Sequence, residues 1–265
     1  MIEGRIQAFP WPYWREEFSL AEQLSINLIE WTLDQDKLYE NPIMTASGQA
    51  DIQVLCHQHG IDIPSLTGDC FMQAPFWKCR GEENARGRQD FQSVLEACVQ
   101  VGISMVVVPL VDNGRIEDSG QEQALVEFLE ELVPFLRGHR LRVLFESDLG
   151  PAVLGFFIGL FDSSLFGINY DIGNSAAAGF SPTEEIETYG HRVLNVHVKD
   201  RVLGGTTVPL GFGDADFESV FEALDRVGYD GNYVLQTARA SDGDHASAIR
   251  LYQEMTSNWM IYRGS

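Results

Sequence analysis

Three apolar, β-branched runs in this 265-residue chain end in side chains that coordinate metals or move protons. The run 141–146 (LRVLFE) closes on Glu146, and 167–171 (GINYD) closes on Asp171. The run 192–201 (RVLNVHVKDR) carries His197 and continues into Lys199, Asp200 and Arg201. A buried strand normally closes with turn residues, and ionisable groups at its carboxyl end cost desolvation free energy unless they have partners. Two carboxylates and an imidazole brought to one rim form a ligand set for Mn²⁺, Mg²⁺, Co²⁺ or Zn²⁺, with positions left open for substrate oxygens. Taken singly, each residue reads as a helix cap or loop anchor. On three successive strands, the reading as one divalent-metal site is the stronger.

Those strands belong to a longer alternation of apolar runs and amphipathic stretches. Strands are expected at 5–10, 26–31, 61–69, 104–110, 141–146, 167–171, 193–198 and 232–237. Helices are expected near 16–24, 50–59, 89–101, 121–136, 153–161, 183–189, 217–227 and 245–260, with Ser181-Pro182 as a cap-then-proline start. Continuous apolar strands between helices indicate a parallel sheet buried on both faces. Eight units of about 33 residues suit a single (β/α)8 TIM barrel over 1–265. An open doubly wound sheet is the weaker alternative, since no G-x-G-x-x-G follows the first strand.

Composition narrows the partners. With 18 Lys and Arg against 39 Asp and Glu, the net charge is −21, which argues against nucleic acid or an anionic membrane. Cys56, Cys70, Cys79 and Cys98 show no C-x-x-C spacing and read as thiols of a reducing, cytoplasmic protein. No signal-peptide pattern opens the sequence, and the longest apolar stretch, near 153–161, is too short to span a bilayer.

Several segments carry a family resemblance: SINLIEW at 25–31, Glu146, YDIGN at 170–174, VHVKDR at 196–201 and VPLGFGDADF at 208–217. With these the chain resembles the xylose isomerase-like superfamily of sugar and sugar-phosphate isomerases and epimerases, closest to the L-xylulose-5-phosphate 3-epimerase-like and hydroxypyruvate isomerase-like branches. The resemblance implies a barrel acting on a small sugar or sugar phosphate, with dimers or tetramers as usual assemblies. It implies Glu146, Asp171 and His197 as three of four metal ligands, with Glu146 also the catalytic base. Proton abstraction next to a carbonyl would then give an enediolate.

Two positions depart from that pattern. The fourth ligand is a glutamate in the family, whereas this chain has Gln236, which can offer an amide oxygen but cannot carry a proton as a carboxylate does. Asn174 stands where the family has a histidine. Epimerisation calls for an acid/base group on each face of the enediolate, and Glu30, Asp69 and Asp200 are the candidates for the second. A single base instead suits aldose–ketose isomerisation. A lyase that begins with the same proton abstraction, and a sugar-binding barrel without turnover, are the alternatives. An endonuclease fits poorly, lacking the additional histidines and the basic surface.

Lys199, Arg201 and Arg239 form a local cationic group in an acidic chain; they read equally as ion-pair partners of Asp200 and nearby acids and, with Asn174 and Glu30, as the candidate substrate-binding residues. The 204–207 loop (GGTT) reads equally as an anion-holding nest or a turn. Trp11, Trp14, Phe71, Phe76 and Trp77 are expected on the rim, as a wall for the pocket or as a surface contact. His57 and His59 read as structural.

Overall fold

The computed structural model describes residues 8–261. Seven strands belong to one parallel sheet, and two more form a separate antiparallel pair. Backbone contacts divide the chain into two compact units.

The first unit covers 8–146 and 160–166. In chain order it holds α1 (Glu16–Gln23), β1 (Trp31–Thr32), α2 (Ala46–His59), β2 (Ser65–Thr67), α3 (Asp69–Gln73), α4 (Gly81–Val101), β3 (Met105–Leu110), α5 (Ser119–His139) and most of β4 (Arg142–Ser147). Helix ends follow local chemistry. The Thr45 side chain accepts from the Gly48 N–H to start α2, and Gly60 and Gly102 end α2 and α4 in left-handed conformations at φ +64° and +85°. β1 pairs in parallel with β2, and β2 with β3, whose six residues are all buried. Phe71, Phe76, Phe91 and Phe128 pack edge-on or tilted into one cluster beside Trp77.

The second unit covers 147–159 and 167–261 among the described residues. It holds α6 (Pro151–Gly159), most of β5 (Phe166–Asp171), α7 (Ile172–Ala178), α8 (Pro182–Tyr189), β6 (Val193–Val198), β7 (Asp200–Arg201), β8 (Thr207–Val208), α9 (Phe217–Arg226), β9 (Asn232–Leu235) and α10 (His245–Ile261). β5 pairs in parallel with β6, and β6 with β9, while β7 and β8 form the antiparallel pair. Ser181 accepts from the Glu184 N–H and Pro182 opens α8, as the cap-then-proline pattern implies.

Several expectations need correction. The first strand, expected at 5–10, lies largely outside the described residues, and 8–10 are not in a strand. The second shrinks to Trp31–Thr32, preceded by an isolated bridge between Leu28 and Asp62, so ladder pairing reaches only the end of the apolar run. The short helices α3 and α7 were not expected. Four of the five rim aromatics are core residues: Trp14, Phe71, Phe76 and Trp77 are buried, Trp11 is half-buried, and the Trp77 indole donates to the Gly114 carbonyl at 3.2 Å. Clustered rings gain more from mutual packing than from lining a wet cleft.

Candidate active site

Strand register fixes the centre of the site. Asp171, the last residue of β5, sits opposite His197 on β6, with Asp171 Oδ2 3.8 Å from His197 Nδ1. Two residues back on the same face, Asn169 sits opposite Asn195, whose amide donates to the Asn169 side-chain oxygen at 2.8 Å. Both asparagines are buried and form a polar layer beneath Asp171 and His197. Sequence reasoning passed over them. Their signal was the period-two repeat of Asn169-x-Asp171 and Asn195-x-His197 within otherwise apolar strands.

Each carboxylate oxygen of Asp171 has its own task. Oδ1 accepts from the Asn174 N–H at 2.8 Å and caps α7, while Oδ2 accepts from the Lys199 ammonium at 3.0 Å. Burial alone would raise this carboxyl; the Lys199 charge, the His197 ring and the Asn174 amide outweigh it and hold Asp171 well below the usual carboxylate range. Lys199 also donates to Gln236 Oε1 at 2.8 Å. Gln236 follows β9, and its N–H donates to the Val198 carbonyl, so register again sets the approach. Gly173 makes the approach possible: a Cβ there would meet the Lys199 Cγ at 2.7 Å and the Arg201 Cγ at 3.2 Å.

Glu146, the fifth residue of β4, is 5% exposed, and His197 is fully buried. Glu146, Asp171 and His197 are all buried, and each offers a side chain that could ligate a metal ion. Two carboxylates and an imidazole make a donor set of the kind that divalent cations take.

The remaining candidates divide. Arg201 donates to Asn174 Oδ1 at 2.7 Å and twice to the Gly205 carbonyl, tying α7 to the β7–β8 turn. The glycine loop is that turn: the Gly204 N–H goes to Ala177 and the Gly205 N–H to Val202, so these donors serve the fold. Arg239 is exposed in the loop after β9. Asp200, expected as an ion-pair partner or a second base, is buried with its carboxylate on the backbone N–H groups of Gly211, Gly213 and Ala215. It organises the 209–215 loop. Glu30, half-buried, accepts from Ser65 at 2.6 Å and from Thr67 at 2.5 Å. His59 contacts Glu22 at 2.7 Å, as a structural histidine would.

Behind β5, on the face opposite Asp171, a buried carboxyl escaped notice in the sequence. Glu185 accepts from Tyr170 at 2.9 Å, from Tyr189 at 2.7 Å, and from Ser175. Burial raises its pKa despite the three hydroxyl donors. Only its i,i+4 spacing to Tyr189 marked it within an acidic stretch.

The family model for the xylose isomerase-like TIM barrel matches residues 18–255. The chain belongs to that family. A curated relative, the L-ribulose-5-phosphate 3-epimerase UlaE of Escherichia coli, is 24% identical over 247 residues, spanning 89% of this chain and 86% of its own. An IolI protein solved with a bound zinc atom superposes with a TM-score of 0.76 at 18% identity, over 95% of this chain and 94% of that one. An L-ribulose 3-epimerase structure also gives 0.76, at 13% identity over 96% of this chain and 91% of that one. At these identities the structural likeness shows the fold. Among the described residues no helix is long and apolar enough to cross a membrane.

Proposed function

We propose that this chain is a metal-dependent isomerase or epimerase of a small sugar or sugar phosphate, working as one barrel domain across 1–265. The donor set of Glu146, Asp171 and His197, three buried side chains closing apolar runs, carries the reading. Membership of the family, and relatives such as UlaE and the L-ribulose 3-epimerase, support the substrate class.

In this reading Glu146, Asp171 and His197 hold one divalent cation, with the Gln236 amide oxygen as the fourth donor. A bound cation supplies Lewis-acid polarisation of the substrate carbonyl. Glu146 removes the proton from the neighbouring carbon and returns it. Asp171 is held ionised by Lys199 and fixed in direction by the Asn174 N–H, so it stays a charged donor across the working pH range. Lys199, Arg201, Arg239, Asn174 and Glu30 remain the proposed contacts to substrate oxygens.

The number of bases separates the two reactions. Asp200 is spent on three backbone N–H groups, and Gln236 cannot carry a proton. Glu146 alone, moving a proton between adjacent carbons on one face, gives aldose–ketose isomerisation. Epimerisation would bring in Glu30 or Asp69. A panel of pentose and hexose ketoses, free and phosphorylated, incubated with Mn²⁺ in deuterated water tests the proposal. Deuterium entering next to the carbonyl of a panel member supports it. A panel with no exchange at any sugar under metal-saturated conditions contradicts it.

A further inference from the structure

We infer that Lys199 is an internal competitor for the divalent cation, its ammonium occupying the part of the ligand sphere supplied by Asp171 and Gln236. The inference rests on the metal reading above and adds to it what sets the strength of metal binding.

The ammonium lies 3.0 Å from Asp171 Oδ2 and 2.8 Å from Gln236 Oε1, two of the four oxygens and nitrogens assigned to the metal. It is placed there by construction. Lys199 directly follows β6, two residues past His197, and Gly173 leaves room for its stem to lie against α7. A side chain so confined, 13% exposed, does not wander off its acceptors at random. A divalent cation approaching Asp171 therefore meets a positive charge already bonded to the same carboxylate. Either that charge is repelled from a distance of a few ångströms, or it is displaced from both acceptors and must be rehydrated; both outcomes weaken the metal.

Charge counting points the same way. Glu146 and Asp171 bring two negative charges and Lys199 one positive, so these three groups sum to −1. A carboxylate at 236 would make the sum −2, whereas Gln236 adds none. The amide is well suited to accept from an ammonium and adds little to a cation's charge neutralisation. Lys199 and Gln236 together turn down the electrostatic attraction for a dication while leaving the donor atoms in place. An outer ligand that merely oriented Asp171 would act in the opposite sense, since its loss would loosen the metal.

The two roles part in a titration of Mn²⁺ into chelator-stripped protein, followed by calorimetry. Lys199→Gln and Lys199→Met should bind Mn²⁺ about 10- to 100-fold more tightly than the wild type, the scale of effects seen for groups around metal ligands. Lys199→Arg, which keeps the charge, should not tighten it. Thermal unfolding without metal shows which variants are folded, and either neutral substitution suffices. Binding by both neutral variants that is unchanged or weaker overturns the inference. His197→Ala separates the two levels: if it abolishes binding while the neutral variants fail to tighten it, only the role of Lys199 falls. If it binds Mn²⁺ as the wild type does, the metal reading falls, and this inference with it.

Discussion

Asp171 and His197 stand opposite one another on neighbouring parallel strands, 3.8 Å apart between Oδ2 and Nδ1, above the hydrogen-bonded pair Asn169 and Asn195. The separation is too long for a hydrogen bond. It suits two donors that share a third party better than two that satisfy each other. Ladder register alone produces the pairing, so a one-residue slip between β5 and β6 would turn one donor to the helical layer.

If His197 is a metal ligand, His197→Ala should lower Mn²⁺ or Zn²⁺ affinity by more than the about 10- to 100-fold typical of outer groups. Metal content of the dialysed protein, measured by mass spectrometry, checks this. Retention of a full equivalent would remove His197 from the ligand set.

The Asn169–Asn195 layer should matter through geometry. Asn195→Leu, close in volume, removes the donor to Asn169 and leaves a buried amide with one partner fewer, at a cost of about 1–3 kcal/mol. Denaturant unfolding measures the loss. A variant as stable as the wild type would mean that the layer contributes nothing to holding the two ligands level.

Asp200 should be a stability residue. It accepts from three backbone N–H groups at 2.8, 2.9 and 3.2 Å, so Asp200→Ala should cost on the order of 3–5 kcal/mol and speed hydrogen exchange at Gly211, Gly213 and Ala215. Gly213→Ala should mimic it, because a Cβ there would lie 2.2 Å from Asp200 Oδ1. Unchanged exchange at those three amides in both variants would contradict the assignment.

Glu185 gives a signed pH dependence. Its folded pKa is raised above 4.5, so above that value the folded state binds more protons than the unfolded state, and stability falls as pH rises through the folded pKa. Glu185→Gln should remove that part of the slope in a series of unfolding measurements from pH 4.5 upward. Asp171, with a lowered pKa, acts the other way and elsewhere: its contribution is present above pH 3.8 and is lost as pH falls towards the folded value. An identical slope in the Glu185→Gln protein would place the titration in another group.

The strand ends were legible because chemistry and position coincide there. Glu146, Asp171 and His197 close apolar runs, and nothing in a core strand calls for a carboxylate or an imidazole at that place. The alternation of elements was legible for the same reason, through hydrophobic period and through caps such as Ser181-Pro182. What sequence missed depends on three-dimensional partners. Trp14, Phe71, Phe76 and Trp77 read as rim residues because they fall between elements, and only packing shows them turned into the core. Lys199, Arg201 and Asp200 form one run of charges, yet each goes to a different place: Lys199 to Asp171 and Gln236, Arg201 to Asn174 and Gly205, Asp200 to the 209–215 loop. Linear proximity gave no hint of that division. α7 was invisible because its seven residues, IGNSAAA, carry no apolar period and depend on Asp171 for a cap.

Exchange of the substrate's carbon-bound proton with solvent tests the central claim most directly. With a sugar found active in the panel, wild-type protein and Glu146→Gln are compared in deuterated water at saturating Mn²⁺, and deuterium next to the carbonyl is followed by NMR. The expected result is a fall in exchange rate of about 100- to 10,000-fold, with Glu146→Gln still folded. Exchange at the wild-type rate in the folded variant would show that another group takes the proton, and that Glu146 is not the base.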